Sequence, residues 1–229
     1  MKVFTFCLAK TPIATTVSTL LKAPQSKTIP GLVQAECMTT MRLGAPILSP
    51  DRMQLRSLMM FAAWEDESSI EQFLASHPLG REFAEGWHLR MTFLRRWGRV
   101  KEFGDLPEQV GESNPAEPVA AFTLARLKIP EVPRFIRWGR PVEEQVRDHP
   151  ETTMAMAAIR YPGNVSTFSI WNSQQAMVDM VQGLGRHSAA MAERDRRDFH
   201  YEFTTLRFRP LSEHGTWNGR SNYLPTFPA

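Results

Sequence analysis

At 229 residues with 42% hydrophobic content, the chain is long enough for one large domain or two small ones with a real core. Its 27 basic and 24 acidic residues leave a formal charge of +3, too slight a surplus to imply nucleic acid as a partner, and no nucleic-acid motif accompanies the arginines at 90, 95, 96 and 99 or at 194, 196 and 197. No apolar run approaches a membrane span. Cys7 and Cys37 sit in apolar runs without CxxC or metal-cluster spacing, so a reducing cytoplasm is the expected compartment.

Taken in order, Val3 to Lys10 is a strand by its aromatic and β-branched content, and Pro12 opens a short helix through Leu21. Val33 to Leu43 and Arg56 to Trp64 read as two further strands, separated by a loop that carries Gly44, Pro46 and Pro50. Glu65-Asp66-Glu67-Ser68 supplies acids and a capping hydroxyl to a helix presenting Ile70, Phe73 and Leu74, and Met91 to Val100 is a fourth strand. Gly104 to Pro118, rich in proline and acids, is the linker candidate. Beyond it come a strand at Val119 to Arg126, a helix within Pro130 to Arg147, strands at Thr152 to Tyr161 and Val165 to Trp171, a helix at Gln174 to Arg194, and a strand at Phe199 to Arg209.

The order is βαββαβ twice, and residues repeat with it. Phe6-Cys7-Leu8-Ala9-Lys10 matches Phe122-Thr123-Leu124-Ala125-Arg126, Phe61 and Trp64 match Phe168 and Trp171, and Leu79-Gly80-Arg81 matches Leu184-Gly185-Arg186. Because Val3 to Lys10 has an internal counterpart, it reads as a strand and not as a targeting segment. The expected fold is α+β: two tandem duplicated ferredoxin-like units packed as a dimeric α/β-barrel-like pair within one chain, the bare sheet faces packed on each other. The divisions fall at 1–103 for the N-terminal repeat, 104–118 for the linker, 119–211 for the C-terminal repeat and 212–229 for a tail.

Two features bear on function. Strand alternation gives one face large residues (Phe6, Leu8, Phe122, Leu124, Met154, Met156) and the other small ones (Thr5, Cys7, Ala9, Thr123, Ala125, Ala155, Ala157). Small side chains either leave room for a ligand or let a helix pack closely. Met177, Met180, Val181, Leu184, His187 and Met191 recur every three or four residues, which would place His187 on an apolar helical stripe, either as a core residue bonded to a carbonyl or as a ligand aimed into a cavity. The first repeat has Glu82 where the second has His187, as a single ligand site per chain would require. No GxSxG elbow, phosphate loop or dinucleotide fingerprint is present, and Glu193, Asp195 and Asp198 lie among arginines as an ion-paired face would.

Thr167-Phe168-Ser169-Ile170-Trp171, Gly185-Arg186-His187-Ser188, Leu206-Arg207-Phe208-Arg209-Pro210 and Gly215-Thr216-Trp217-Asn218-Gly219 resemble the C-terminal signature of the spheroidene monooxygenase family, and Ala121 to Leu127 fits its middle region. The resemblance extends in fold to the dimeric α/β-barrel superfamily with its heme-binding members. It implies a heme-dependent monooxygenase of an apolar substrate, with b-type heme bound axially by His187, Arg186 toward a propionate, and Met180, Leu184 and Met191 excluding water. The implied partners are a small apolar substrate and an electron donor or peroxide. A homo-oligomer, and peripheral membrane contact through Pro133 to Arg140, are compatible additions to a cytoplasmic setting. Two alternatives stay open: a cofactor-free monooxygenase of the antibiotic-biosynthesis type, and a non-catalytic module binding heme, lipid or a partner.

Overall fold

The computed structural model describes residues 2–45, 49, 54–183 and 185–225. The strands are β1 (Val3–Lys10), β2 (Leu32–Met41), β3 (Gln54–Trp64), β4 (Trp87–Arg99), β5 (Val119–Leu127), β6 (Thr152–Arg160), β7 (Asn164–Trp171) and β8 (His200–Gly215). The helices are α1 (Ile13–Leu21), α2 (Glu67–Ser76), α3 (Pro78–Glu85), α4 (Val132–Arg147), α5 (Gln174–Gln182) and α6 (Arg186–Arg196).

All eight strands form one closed antiparallel barrel in the order β1-β3-β2-β6-β7-β5-β8-β4. Each half contributes an unbroken arc, β4-β1-β3-β2 and β8-β5-β7-β6, which is the ferredoxin-like order read twice. The expectation of two sheets laid face to face is corrected accordingly. The halves join edge to edge through β2–β6 and β4–β8, so both bare faces turn inward around one shared interior and no sheet edge is left open.

Alternation decides what fills that interior. Phe4, Phe6 and Leu8 of β1 point inward with Phe61, Phe122, Leu124, Met154, Met156, Phe168, Leu206 and Phe208, all buried. Across the middle, Phe6 stacks on Phe168 with ring centroids 3.7 Å apart, and Phe61 stacks on Phe122 at 3.9 Å. The barrel is therefore a packed core rather than a pore. Trp87, Trp217 and Tyr223 belong to the same cluster, and Tyr223 donates its hydroxyl to the Trp217 carbonyl at 2.9 Å.

The second helical segment is broken in both halves. In the first, Asp66 caps α2 by accepting from the Ser69 N–H at 2.8 Å, and the chain restarts at Pro78 with His77 Nδ1 accepting from the Leu79 N–H at 3.2 Å. In the second, the single helix expected over Gln174 to Arg194 is two helices, α5 and α6, with Gly183 and Gly185 between them. β4 starts at Trp87, four residues before the expected Met91, and β8 runs to Gly215, past the expected Arg209. Pro210 is accommodated at a register shift of the β4–β8 ladder, where a missing N–H costs least.

Candidate functional site

The small-residue face of each sheet turns outward to its helices, and here the halves differ. In the first, Thr5, Cys7, Ala9, Cys37, Met60 and Ala62 are sealed beneath α1 to α3, none more than 2% exposed. Burial pushes the Cys7 thiol up to about 12 and raises Cys37 as well, so both are un-ionised apolar packing groups. The helices bury Thr16 and Thr19, Ile70, Phe73 and Leu74, and Leu79 and Phe83 against that face.

The second half is open where the first is closed. Thr123, Ala155, Ser169 and Thr205 are only half-buried, and Thr167, at the middle of β7 between Thr123 and Ala157, is exposed. Neither α4 nor α6 buries a single residue. They are held to each other instead: Arg134 donates to Glu193 Oε1 at 2.7 Å, to Glu131 Oε2 at 2.7 Å, and to the carbonyls of Glu193 and Arg197. Arg197 also pairs with Glu131. The α4 side chains Val132, Phe135 and Trp138 still pack at one end of the sheet, on Ala125, Leu127 and Phe199, while solvent reaches Thr167 in the middle of β7. Thr123 and Thr205 hydrogen-bond through their hydroxyls there at 3.2 Å.

His187 belongs to this helix layer, in the first turn of α6. Its backbone N–H donates to Gln145 Oε1 of α4 at 3.2 Å. Its ring Nδ1 is buried without a hydrogen-bond partner among the described residues. Burial depresses its basicity, the backbone of Val181 opposes that, and Arg194 adds to it, so the imidazole is held in the neutral form that can donate a lone pair to a metal. A neutral imidazole with an unpaired buried Nδ1 has the donor chemistry that would hold a heme iron.

The other expected site residues do not gather around it. The break after Gln182 ends the continuous apolar stripe, so residues on its two sides no longer share one helical face. Met180 is buried with Trp171, Val119 and Met177, whereas Met191 is 37% exposed. Leu184 lies outside the described residues. Arg186 is exposed and already paired at 3.1 Å with Glu144, a carboxylate it shares with Arg140. The aromatics of the Pro133 to Arg140 stretch, Phe135 and Trp138, pack with Leu127 and Phe199 of the protein itself.

Two features went unread in the sequence. One is Arg207, which shares the indole of Trp97 with Arg95. The other is a cavity of about 400 Å³ at one barrel mouth, lined by Lys2, Phe4, Val33, Glu102, Phe103 and Leu106 among others. Next to it a charge cluster closes the barrel end: Arg126 pairs with Glu102 and Glu202, and Arg160 with the buried Glu36 at 2.9 Å. The openness of the second half did have a signal. Outward positions of β3 read Met60 and Ala62, whereas those of β7 read Thr167 and Ser169.

The architecture is that of an α+β antiparallel barrel built from ferredoxin-like arcs. Among solved structures, an aldoxime dehydratase in complex with butyraldoxime shares the fold at a TM-score of 0.50, with 9% identity over 91% of this chain and 79% of that one. No family model matches the chain. The spheroidene monooxygenase of Rhodobacter capsulatus is 30% identical over 171 residues, 70% of this chain and 69% of the relative. That of Rubrivivax gelatinosus is 28% identical over 164 residues, 70% of this chain and 63% of the relative. The chain belongs to the spheroidene monooxygenase family.

Proposed function

We propose that the chain is a heme-dependent monooxygenase of an apolar substrate, a carotenoid such as spheroidene, with His187 as the residue that would hold the heme iron. The observation that carries this reading is the asymmetry of the two halves: the second leaves Thr167 exposed in the middle of β7 where the first is sealed, and the buried Nδ1 of His187, in the helix layer of that half, has no hydrogen-bond partner among the described residues. Family membership supports the reaction class. When bound, the heme supplies the oxygen-activating redox chemistry that side chains lack. The chain's own part is to offer a neutral imidazole at His187, to fix its backbone through Gln145, and to present the Thr123–Thr205 face as one wall. Electrons come from a donor, or the oxidant arrives as peroxide.

The chain is also proposed to descend from a tandem duplication with a linker at 104–118. If Phe6 corresponds to Phe122 and Phe61 to Phe168, the stack of Phe6 on Phe168 maps onto that of Phe122 on Phe61. The break in the second helix likewise falls beside Leu79-Gly80-Arg81 in one half and Leu184-Gly185-Arg186 in the other.

The functional test is turnover. Protein expressed with heme available is incubated with spheroidene and labelled dioxygen plus a reductant, or with labelled peroxide. Label in the product, dependent on heme loading, is expected. Label at the same rate from heme-free protein would replace this reading with the cofactor-free one, and heme binding without turnover would favour a binding module.

A further inference from the structure

On the outward side of the β4–β8 seam, Arg95 and Arg207 stand opposite each other in the ladder. Their guanidinium carbons lie 4.7 and 4.3 Å from the centroid of one ring, that of Trp97. Among the described residues neither has a carboxylate at ion-pair distance, although the next arginine along β8, Arg209, is paired with Glu117 at 3.0 Å. Arg207 is half-buried, and burial together with the charge of Arg95 pulls it down to about 10. Two like charges sharing one indole without a carboxylate partner among the described residues, one of them partly desolvated, repel each other, and cation–π contact with the indole offsets only part of that cost. An anion at this point would relieve it.

The location says which kind of anion. Arg207 is two residues along β8 from Thr205, on the same face, and is opposite Ala121 on β5. Ala121 packs against the same apolar cluster as Val178 and Val181 of α5, the helix that precedes His187. The pair therefore sits at the margin of the open sheet face, with apolar contacts on one side and solvent on the other. We infer that Arg207 and Arg95, aligned on Trp97, form a clasp for the carboxylate of an otherwise apolar ligand lying on this face. Planar guanidinium forks suit a carboxylate, and Arg186, already paired with Glu144, is not needed for that role. The inference rests on reading this face as a ligand site, but not on the ligand being heme.

The test compares acids with their esters by isothermal titration calorimetry: hemin against hemin dimethyl ester, and decanoate against methyl decanoate. In the wild type each acid is expected to bind about tenfold more tightly than its ester, the scale of a charge-assisted hydrogen-bonded pair. Arg207→Ala should bring that ratio close to one, and Arg207→Lys should restore part of it. Arg95→Ala, at an exposed position, should lower the ratio even if Arg207→Ala fails to fold. If decanoate discriminates but hemin does not bind, the heme reading falls and the clasp stands. Equal binding of acid and ester in the wild type, or a ratio that survives both alanine variants, overturns the clasp whether or not hemin binds. Failure of both acids to bind overturns it too.

Discussion

His88 shows what burial alone does to a histidine in this protein. It is 5% exposed on β4, stacked on His214 with centroids 4.8 Å apart, and neither ring nitrogen has a hydrogen-bond partner among the described residues. Burial, reinforced by His214 and Arg90, pulls its pKa down to about 4, against weaker opposition from the Phe83 backbone and Glu71. The folded value lies below the unfolded one of about 6.5, so on acidification the unfolded chain takes up the proton first. Stability is whole above pH 6.5 and falls between 6.5 and 4, by about 3 kcal/mol for this residue. Urea midpoints at pH 7 and pH 5 should show the drop, and His88→Leu should reduce it, leaving the part due to His200, which burial also pulls down to about 4. An equal drop in the variant would move the effect to other groups. The cysteines provide a simpler check: with Cys7 and Cys37 buried and un-ionised, a maleimide at pH 7.5 should label neither thiol in native protein and both after denaturation. His187 shares the unpaired ring nitrogen but differs from His88 in its setting, since it lies in a helix layer that buries little.

At the level of elements, the broken second helix shapes both halves. Gly80 in α3 lies against α2 so closely that an added Cβ would meet the Phe73 carbonyl oxygen at 1.9 Å. Gly80→Ala must therefore spread the α2–α3 joint, at a cost of roughly 1–3 kcal/mol, read as a fall of several degrees in Tm. An unchanged Tm would show that the joint yields freely. Strands were legible because alternation is a local property: β1 was bounded correctly from Val3 to Lys10 by its residue types alone. The break between α5 and α6 was not, because the methionine spacing runs through it and periodicity is blind to a pause in the helix. Gly183 and Gly185 were the overlooked mark. Met191 still follows His187 by one turn within α6, but Met177 and Met180 lie beyond the break, and nothing along a strand reveals that the neighbours of Arg207 across the ladder lack a carboxylate.

For the whole molecule, closure depends on two unequal seams. The β4–β8 ladder runs from Trp87 to Arg99, whereas β2 meets β6 only through Thr39, Thr40 and Met41. Opening should begin at the short seam. Native-state hydrogen exchange is expected to find the amides of Thr39 to Met41 exchanging sooner than those of Phe4 to Leu8 in the centre of the first arc, and the reverse order would contradict a barrel closed in this way. The repeated βαββαβ order was readable from local patterns, but the edge-to-edge closure was not, since register between distant strands leaves no local trace. The contrast between a sealed first half and an open second half is the central claim. It is tested most directly by titrating hemin into the protein and its His187→Ala variant while following the Soret band. One hemin per chain, with the band shifted and affinity reduced in the variant, is the expected result. Two per chain, none, or a spectrum unchanged by the substitution would contradict it.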